Sequence, residues 1–474
     1  MQMNSSPIRF AGCFTLALTI LLYVCVIRAS SSSTAIAHET ASTIQSESTA
    51  EYELENRPIP PSSEPRIRVR LRSEESGSTL TFGEEGQRLL CLDQLDSRVF
   101  LRPAPLQVTR SLDGWDLIDG DQRRDSVFGS GILTIRTLED DDSKILFEGG
   151  RLPGFVDLVP RNQSDDPTKP ERLDVIVHLS LESYLPGVLD VELYGHWPLE
   201  TFMAQAVAAR SYAVAESAFW ADRRHFDVVA GPRSQGWSGD GGSEKARDAV
   251  QSTTGMLLLQ DGRVIPAYYS AACGGFPASA NDAISSRPSH RISSLVPLDA
   301  RPRGCCENSS VFKWSMEFKR ADIDRLIQEW RNGVDGDSEP PSMYHARFVG
   351  LSVFERSPNG RPLIYRLTFS DGTTSVIDAE VLRRMLSTLS EFGEDQAKPL
   401  RSSVFSGRLR GRRFRLDGLG WGHGCGLCQY GANAMGEDGF TWRQILDRFY
   451  PGSEVRSFWR PNTEMVSAEP LLKE

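Results

Sequence analysis

The most constraining feature of this sequence is the stretch Leu181 to Trp220, LESYLPGVLDVELYGHWPLETFMAQAVAARSYAVAESAFW. Its second half predicts a helix. Pro198 suits the first helical position, and Glu200 falls in the first turn, where a carboxylate meets the positive end of the helix dipole. Leu199, Phe202, Met203, Ala206, Val207, Ala213 and Val214 then recur at the spacing of one buried stripe. Arg210 breaks that stripe. An unpaired buried charge costs on the order of several kcal/mol, so Arg210 needs an acidic partner or an anionic ligand. Glu192 is the expected partner. It sits among apolar neighbours, and the turn Tyr194-Gly195-His196-Trp197 can fold it back over the helix start. A carboxylate held among apolar groups keeps its proton more readily, as a general acid must. The competing reading is a structural Glu–Arg ion pair that locks the turn.

Two further blocks stand out: YYSAACGGFPAS, residues 268–279, and GLGWGHGCGLCQYGANAMGEDGFTWRQILDRFYPGSEV, residues 418–455. With LESYLPGV and AQAVAARSYA, taken in order, they resemble the signature of the SpoIID/LytB family of cell-wall proteins. The resemblance spans roughly 180 to 455. It implies a β-rich α+β core with a few short helices and a protein acting on peptidoglycan glycan strands. Some members are lytic transglycosylases and others enhance an amidase, so a cell-wall amidase becomes a candidate partner. Glu192 matches the family's catalytic position. Arg210, Tyr212, Ser270, Gly274, Gly275, His423 and Gln429 become expected substrate contacts, with His423 and Gln429 also able to orient Glu192. Ser270 lacks a placed base and is a poor nucleophile candidate. Glu200 is the rival carboxylate, but its helix-terminus position already explains it.

The cysteines leave three readings open: disulfides, a metal site or free thiols. In an exported protein disulfides come first, with Cys273 paired to Cys305 or Cys306. No cofactor is required by the expected chemistry. Some members of the resembled family hold zinc with a His and cysteines near the central block, which makes Cys273, Cys305 and Cys428 weak candidates. Here Tyr269 stands where that His is expected. Cys425-x-x-Cys428 beside His423 offers another ligand set, and packing or a disulfide explains it equally.

The rest of the chain supplies context. Arg9, an apolar run from Phe10 to Ile27 and Arg28 predict an export signal or membrane anchor over residues 1–28. Ala35-Ile36-Ala37 lies far from that run, which favours retention over cleavage. Residues 29–65, rich in Ser, Thr, Glu and Pro, read as a disordered tether that places the rest outside the membrane at the wall. Residues 66–165 read as the β-rich N-terminal part of the core, from the period-two runs at 67–72, 79–82, 88–92 and 131–138. Residues 166–457 carry the signature blocks, and 458–474 read as an unordered tail. Asp140-Asp141-Asp142 looks like a turn, because a calcium loop needs more ordered ligand spacing. The glycines at 239, 241 and 242 lack a phosphate loop's Gly-Lys-Ser/Thr.

Helices are expected over 244–253 and 321–330, and after a Thr441 cap. Hairpins are expected around Asp261-Gly262 and Gly411, the latter carrying five arginines in RLRGRRFR on its wet face or against anionic groups of peptidoglycan. The net charge of −10 argues against general nucleic-acid binding.

Overall fold

Alternation in RIRVRLRSEE turns Ile67 and Val69 inward and leaves the arginines at the solvent side, so Arg66–Glu75 forms a strand with one wet face. Its neighbour Arg172–Ser180 is buried along nearly its whole length, as a strand covered on both faces must be. Leu173, Val175, Val177 and Leu179 enter the main core, while Ile176 packs with Val159 and Phe226 on the other side. The computed structural model describes residues 57–111, 114–128, 131–138, 144–161, 172–231, 234–239, 241–284, 306–334, 346–390 and 398–460.

These two strands are central to a seven-stranded sheet. Its spatial order is Val228–Val229, Arg66–Glu75, Arg172–Ser180, Phe155–Arg161, Leu133–Thr137, Arg88–Asp93 and Arg98–Pro103. A six-stranded sheet, Gly150–Leu152 through Thr79–Phe82 to Arg124–Phe128, completes the N-terminal region. Residues on both sides of position 165 therefore share one sheet and one core. The predicted β-rich α+β class holds.

Helix α1, Leu181–Glu192, follows directly from the central strand, with Ser180 Oγ accepting from the Ser183 N–H at its start. No helix is expected over this segment from its sequence pattern. α2, Leu199–Trp220, is the predicted helix, with Pro198 at the cap position instead of inside. α3, Glu244–Ser252, packs on both. The hairpin at Asp261-Gly262 forms, with both turn residues at positive φ. α4 is Ala280–Ile284.

A second core belongs to residues 313–416. Here the sheets Lys313–Lys319/Arg413–Leu419/Phe405–Arg410 and Phe348–Arg356/Pro362–Phe369/Thr374–Asp378 pack with α5, Arg320–Val334, and α6, Ala379–Leu386. Phe318, Phe348, Tyr365, Phe414 and Leu416 are its buried centre. The arginine hairpin forms as expected. Arg408, Arg413 and Arg415 face out and pair with Glu317 and Asp417, the solvated-face reading. α7, Gln429–Glu437, and α8, Trp442–Phe449, close the fold, α8 beginning in a Thr441–Gln444 capping box.

Residues 57–65, assigned to the tether by composition, are held against the core. Pro58 accepts from Val264 N–H and Pro65 from Leu181 N–H. Trp459, assigned to the tail, is buried and donates to Glu182. The apolar run Phe10–Ile27, the rest of the tether and Asp140–Asp142 lie outside the described residues. Among the described residues no helix is long and apolar enough to cross a membrane.

Candidate active site

Glu192 is the last residue of α1, and its half-buried carboxylate is clamped from two directions. Gly236 N–H donates to Oε1 at 2.9 Å, and Gln429 Nε2 donates to Oε2 at 3.0 Å. Gly236 has no room for a side chain, since a Cβ there would lie 2.3 Å from Val191 Cγ1. The loop carrying it is anchored by Gln235, which accepts from the Tyr184 hydroxyl (3.1 Å) and donates to the Ala209 carbonyl (3.1 Å). Gln429 opens α7 and is itself buried. Two hydrogen bonds fix the carboxylate's rotamer and leave lone pairs for a substrate proton.

The carboxylates nearest in sequence are committed elsewhere. Asp190 accepts from the Ser243 hydroxyl and N–H at the start of α3. Glu200 accepts from Trp442 N–H (2.6 Å) and so helps cap α8, not its own helix.

Arg210 departs from expectation. It is fully buried, and its partner is Glu182, not Glu192. Nε and Nη2 reach the two Glu182 oxygens at 2.9 and 2.7 Å, a bidentate pair. The remaining guanidinium protons reach the carbonyls of Val250 (3.3 Å) and Met256 (3.4 Å). Glu182 also accepts from Gly255 N–H and Trp459 Nε1. This knot joins α1, α2, α3 and Trp459, so Arg210 is a core residue and not a groove residue. Tyr212 is likewise 4% exposed, edge-on to Tyr268 and Tyr269.

The central and C-terminal blocks interleave. Tyr269–Ser270 pairs in parallel with Leu427–Cys428, and Ala272 bridges Trp421. The glycines serve this junction. A Cβ at Gly426 would lie 1.7 Å from the Tyr268 carbonyl oxygen, one at Gly274 2.7 Å from the Leu419 backbone, and one at Gly420 2.6 Å from the Ala272 carbonyl. The approach that glycine density permits is backbone to backbone, where a ligand had been expected. Gly275, at φ +79, faces Phe312. Ser270 Oγ accepts from Gly424 N–H at 3.2 Å, holding the loop from below.

His423 stands inside this loop. Its Nδ1 accepts from Cys425 N–H at 3.0 Å, its ring meets Tyr268 edge-on, and it hydrogen-bonds the Tyr269 carbonyl. It makes no bond to Glu192; of the two residues expected to orient that carboxylate, Gln429 does so. Burial and the Arg361 charge hold the imidazole pKa down, from 6.5 to about 4. The unfolded chain therefore binds this proton between pH 6.5 and 4 while the folded chain does not. Stability present above pH 6.5 is lost as pH falls towards 4. His423→Asn keeps an acceptor for Cys425 N–H and cannot titrate. Urea midpoints should fall more steeply in the native protein than in this variant over that window, by on the order of 2 kcal/mol for a partly exposed ring. Equal slopes would show that another group carries the acid sensitivity.

Two residues beyond Glu192 begins a cluster of aromatic side chains that sequence reasoning missed. Tyr194, half exposed, lies 5.3 Å from Trp197 and 6.2 Å from Tyr430 between ring centroids. Trp421 is 45% exposed and stacks with Arg401 at 4.8 Å. The Tyr194 and Trp421 rings are thus flat apolar faces open to solvent. The signal was present in the Tyr-Gly-His-Trp turn, where the aromatic content was read only as turn chemistry.

The cysteines also sort themselves only in three dimensions. No disulfide joins the described cysteines. The Sγ atoms of Cys273, Cys306 and Cys428 lie within 4.8 Å of one another, so Cys306 takes the place expected of Cys305, which is outside the described residues. Cys425 is not in this group; burial pushes its thiol up to about 12. The Cys425-x-x-Cys428 pair is therefore split. Among the described residues no His joins the group: the residue at the expected position is Tyr269, and His423 is bonded as above.

Fold and site together define an α+β protein in which Glu192 is set by a helix end, a glycine loop and the C-terminal block. Residues 169–259 match the Stage II sporulation protein (SpoIID) family, and residues 288–426 match a domain of unknown function. The chain is 25% identical over 294 residues to an uncharacterized protein of Brachyspira hyodysenteriae, covering 61% of this chain and 70% of that one. It is 25% identical over 304 residues to the Amidase enhancer of Bacillus subtilis (58% and 40%). It is 26% identical over 299 residues to Stage II sporulation protein D of the same organism (59% and 75%). The chain thus spans well under half of the amidase enhancer's length. These matches support a SpoIID/LytB family assignment.

Proposed function

We propose that this protein is exported and cleaves peptidoglycan glycan strands as a lytic transglycosylase, with Glu192 as its single acid/base. The observation that supports this reading is one carboxylate, Glu192, held by Gly236 and Gln429 two residues from the exposed Tyr194 ring, while Asp190 and Glu200 are occupied as helix caps. A glycoside hydrolase of the usual kind needs two carboxylates flanking the bond. A transglycosylase needs one. Glu192 gives its proton to the glycosidic oxygen as the bond to the anomeric carbon breaks. The carboxylate then takes the proton of the same sugar's hydroxyl as that oxygen attacks the anomeric carbon, closing an anhydro ring without water.

A second reading, favoured by the relative named Amidase enhancer, is a non-catalytic protein that binds glycan and stimulates an amidase. Both readings require glycan binding, but only the enzyme forms anhydro ends. Mass spectrometry of purified glycan strands incubated with the full chain is expected to show fragments ending in anhydro sugars. Intact strands, with stimulation of a cell-wall amidase, would establish the second reading in its place.

A further inference from the structure

The outer face of the sheet Lys313–Lys319/Arg413–Leu419/Phe405–Arg410 carries charge that the second core does not use. Strand pairing sets Arg408 opposite Arg415 and Arg410 opposite Arg413, and Arg413 is in turn opposite Lys319. The row nearest the hairpin turn is therefore Arg410, Arg413 and Lys319, three cations across three strands. The next row is Arg408, Arg415 and Glu317, and the third is Ser406, Asp417 and Ser315. Lys313 lies on the same face, and Arg412 stands exposed in the turn itself. Seven cations thus stand against two carboxylates, in a chain whose net charge is −10.

Residues directly opposite on a sheet have Cβ atoms about 5 Å apart, well inside the roughly 8 Å over which physiological salt screens charge, so like charges there destabilise the pairing. The two carboxylates relieve only part of this. Glu317 reaches Arg413 (2.9 Å) and Arg415 (3.7 Å), and Asp417 reaches Arg408 (3.2 Å) and Arg415 (2.9 Å). Among the described residues no carboxylate lies within ion-pair distance of Arg410, Arg412 or Lys319. The strands are held from the other side, where Phe318, Phe414 and Leu416 are buried in the second core. Packing therefore gives no reason for a cationic row at the tip, and an external anion does. Five of the seven cations are arginines, whose guanidinium fork matches a carboxylate bidentately. The uncharged outward residues of the three rows are Ser315 and Ser406, not the aliphatic or aromatic side chains that a membrane-surface element interleaves with its cations.

We propose that this face docks on the carboxylates of peptidoglycan stem peptides and holds the second core to the wall. It gives the stretch that matches a domain of unknown function, residues 288–426, a wall-binding surface. The inference rests on the wall-directed role common to both readings above, and on neither reaction. Glu192 takes no part in it.

The test sediments the full chain with insoluble peptidoglycan stripped of attached polymers, at low salt. Arg410→Gln with Arg412→Gln is expected to lower binding at least about threefold, the loss of two exposed ion contacts. Arg123→Gln with Arg124→Gln, exposed in the N-terminal region, changes the net charge equally and should keep binding. Amidating the wall carboxylates should abolish the difference between the native chain and the Arg410/Arg412 variant. The urea midpoint of that variant should equal or exceed the native one, because opposed like charges have been relieved. A lower midpoint overturns the proposal by making the arginines structural. So does a binding loss under about threefold, or one that persists on amidated wall. Unchanged wall binding, with a preference for phosphatidylglycerol over phosphatidylcholine vesicles that the variant loses, overturns it in favour of a membrane. Release of anhydro-ended fragments by the same variant leaves the proposed reaction standing whichever way binding falls.

Discussion

Glu192→Gln is expected to lower the release of anhydro-ended fragments by about 10²- to 10⁴-fold, the usual contribution of a positioned acid/base. The substitution is close to isosteric. Its carbonyl oxygen can keep the Gly236 N–H bond, and Gln429 can turn its amide by half a rotation so that the two amides pair. The fold should survive while the transferable proton is lost. Glu200→Gln is the matched control. It weakens the bond to Trp442 N–H and costs about 1 kcal/mol of stability, as loss of a helix cap does, with the rate retained. Product release in Glu192→Gln within threefold of the native rate, or an equal loss in Glu200→Gln, would remove Glu192 from the chemistry.

Arg210→Met is expected to destabilise the fold by about 3–5 kcal/mol, because it leaves the Glu182 charge without its bidentate partner in the interior. Glu182 would keep only Gly255 N–H and Trp459 Nε1 as donors. Removing both charges together, as Glu182→Leu with Arg210→Met, should recover most of the loss, since apolar replacements of a buried pair are often neutral. Chemical denaturation of the two singles and the double gives the coupling directly. Singles that cost under about 1 kcal/mol would mean that the pair behaves like a surface ion pair and is not the knot described here.

The two substitutions also separate what was legible in the sequence from what was not. Arg210 interrupting an apolar stripe announced a buried partner, and that inference held. Naming Glu192 as that partner rested on its closeness to the helix start. It failed because Leu181–Glu192 is itself a helix, which puts Glu182 beside Arg210 and carries Glu192 to the far end. Glu192 still reached a clamped position, through Gly236 and Gln429, which no nearby pattern could reveal. Likewise the density of glycine near 420–426 was plain. That those glycines admit the 268–274 backbone required the parallel pairing of Tyr269–Ser270 with Leu427–Cys428.

What the sequence determined by itself is local: the helix from Leu199, the Asp261-Gly262 and Gly411 turns, the Thr441 cap and the alternating strands. Periodicity, capping and turn chemistry act between residues a few positions apart, so they can be read along the chain. The tertiary structure alone decided the partners. Glu182 meets Arg210 across 28 positions, Gly236 meets Glu192 across 44, and Gln429 meets Glu192 across 237. Side chains of like chemistry compete for such contacts, and only the packed backbone fixes which donor comes within hydrogen-bonding distance.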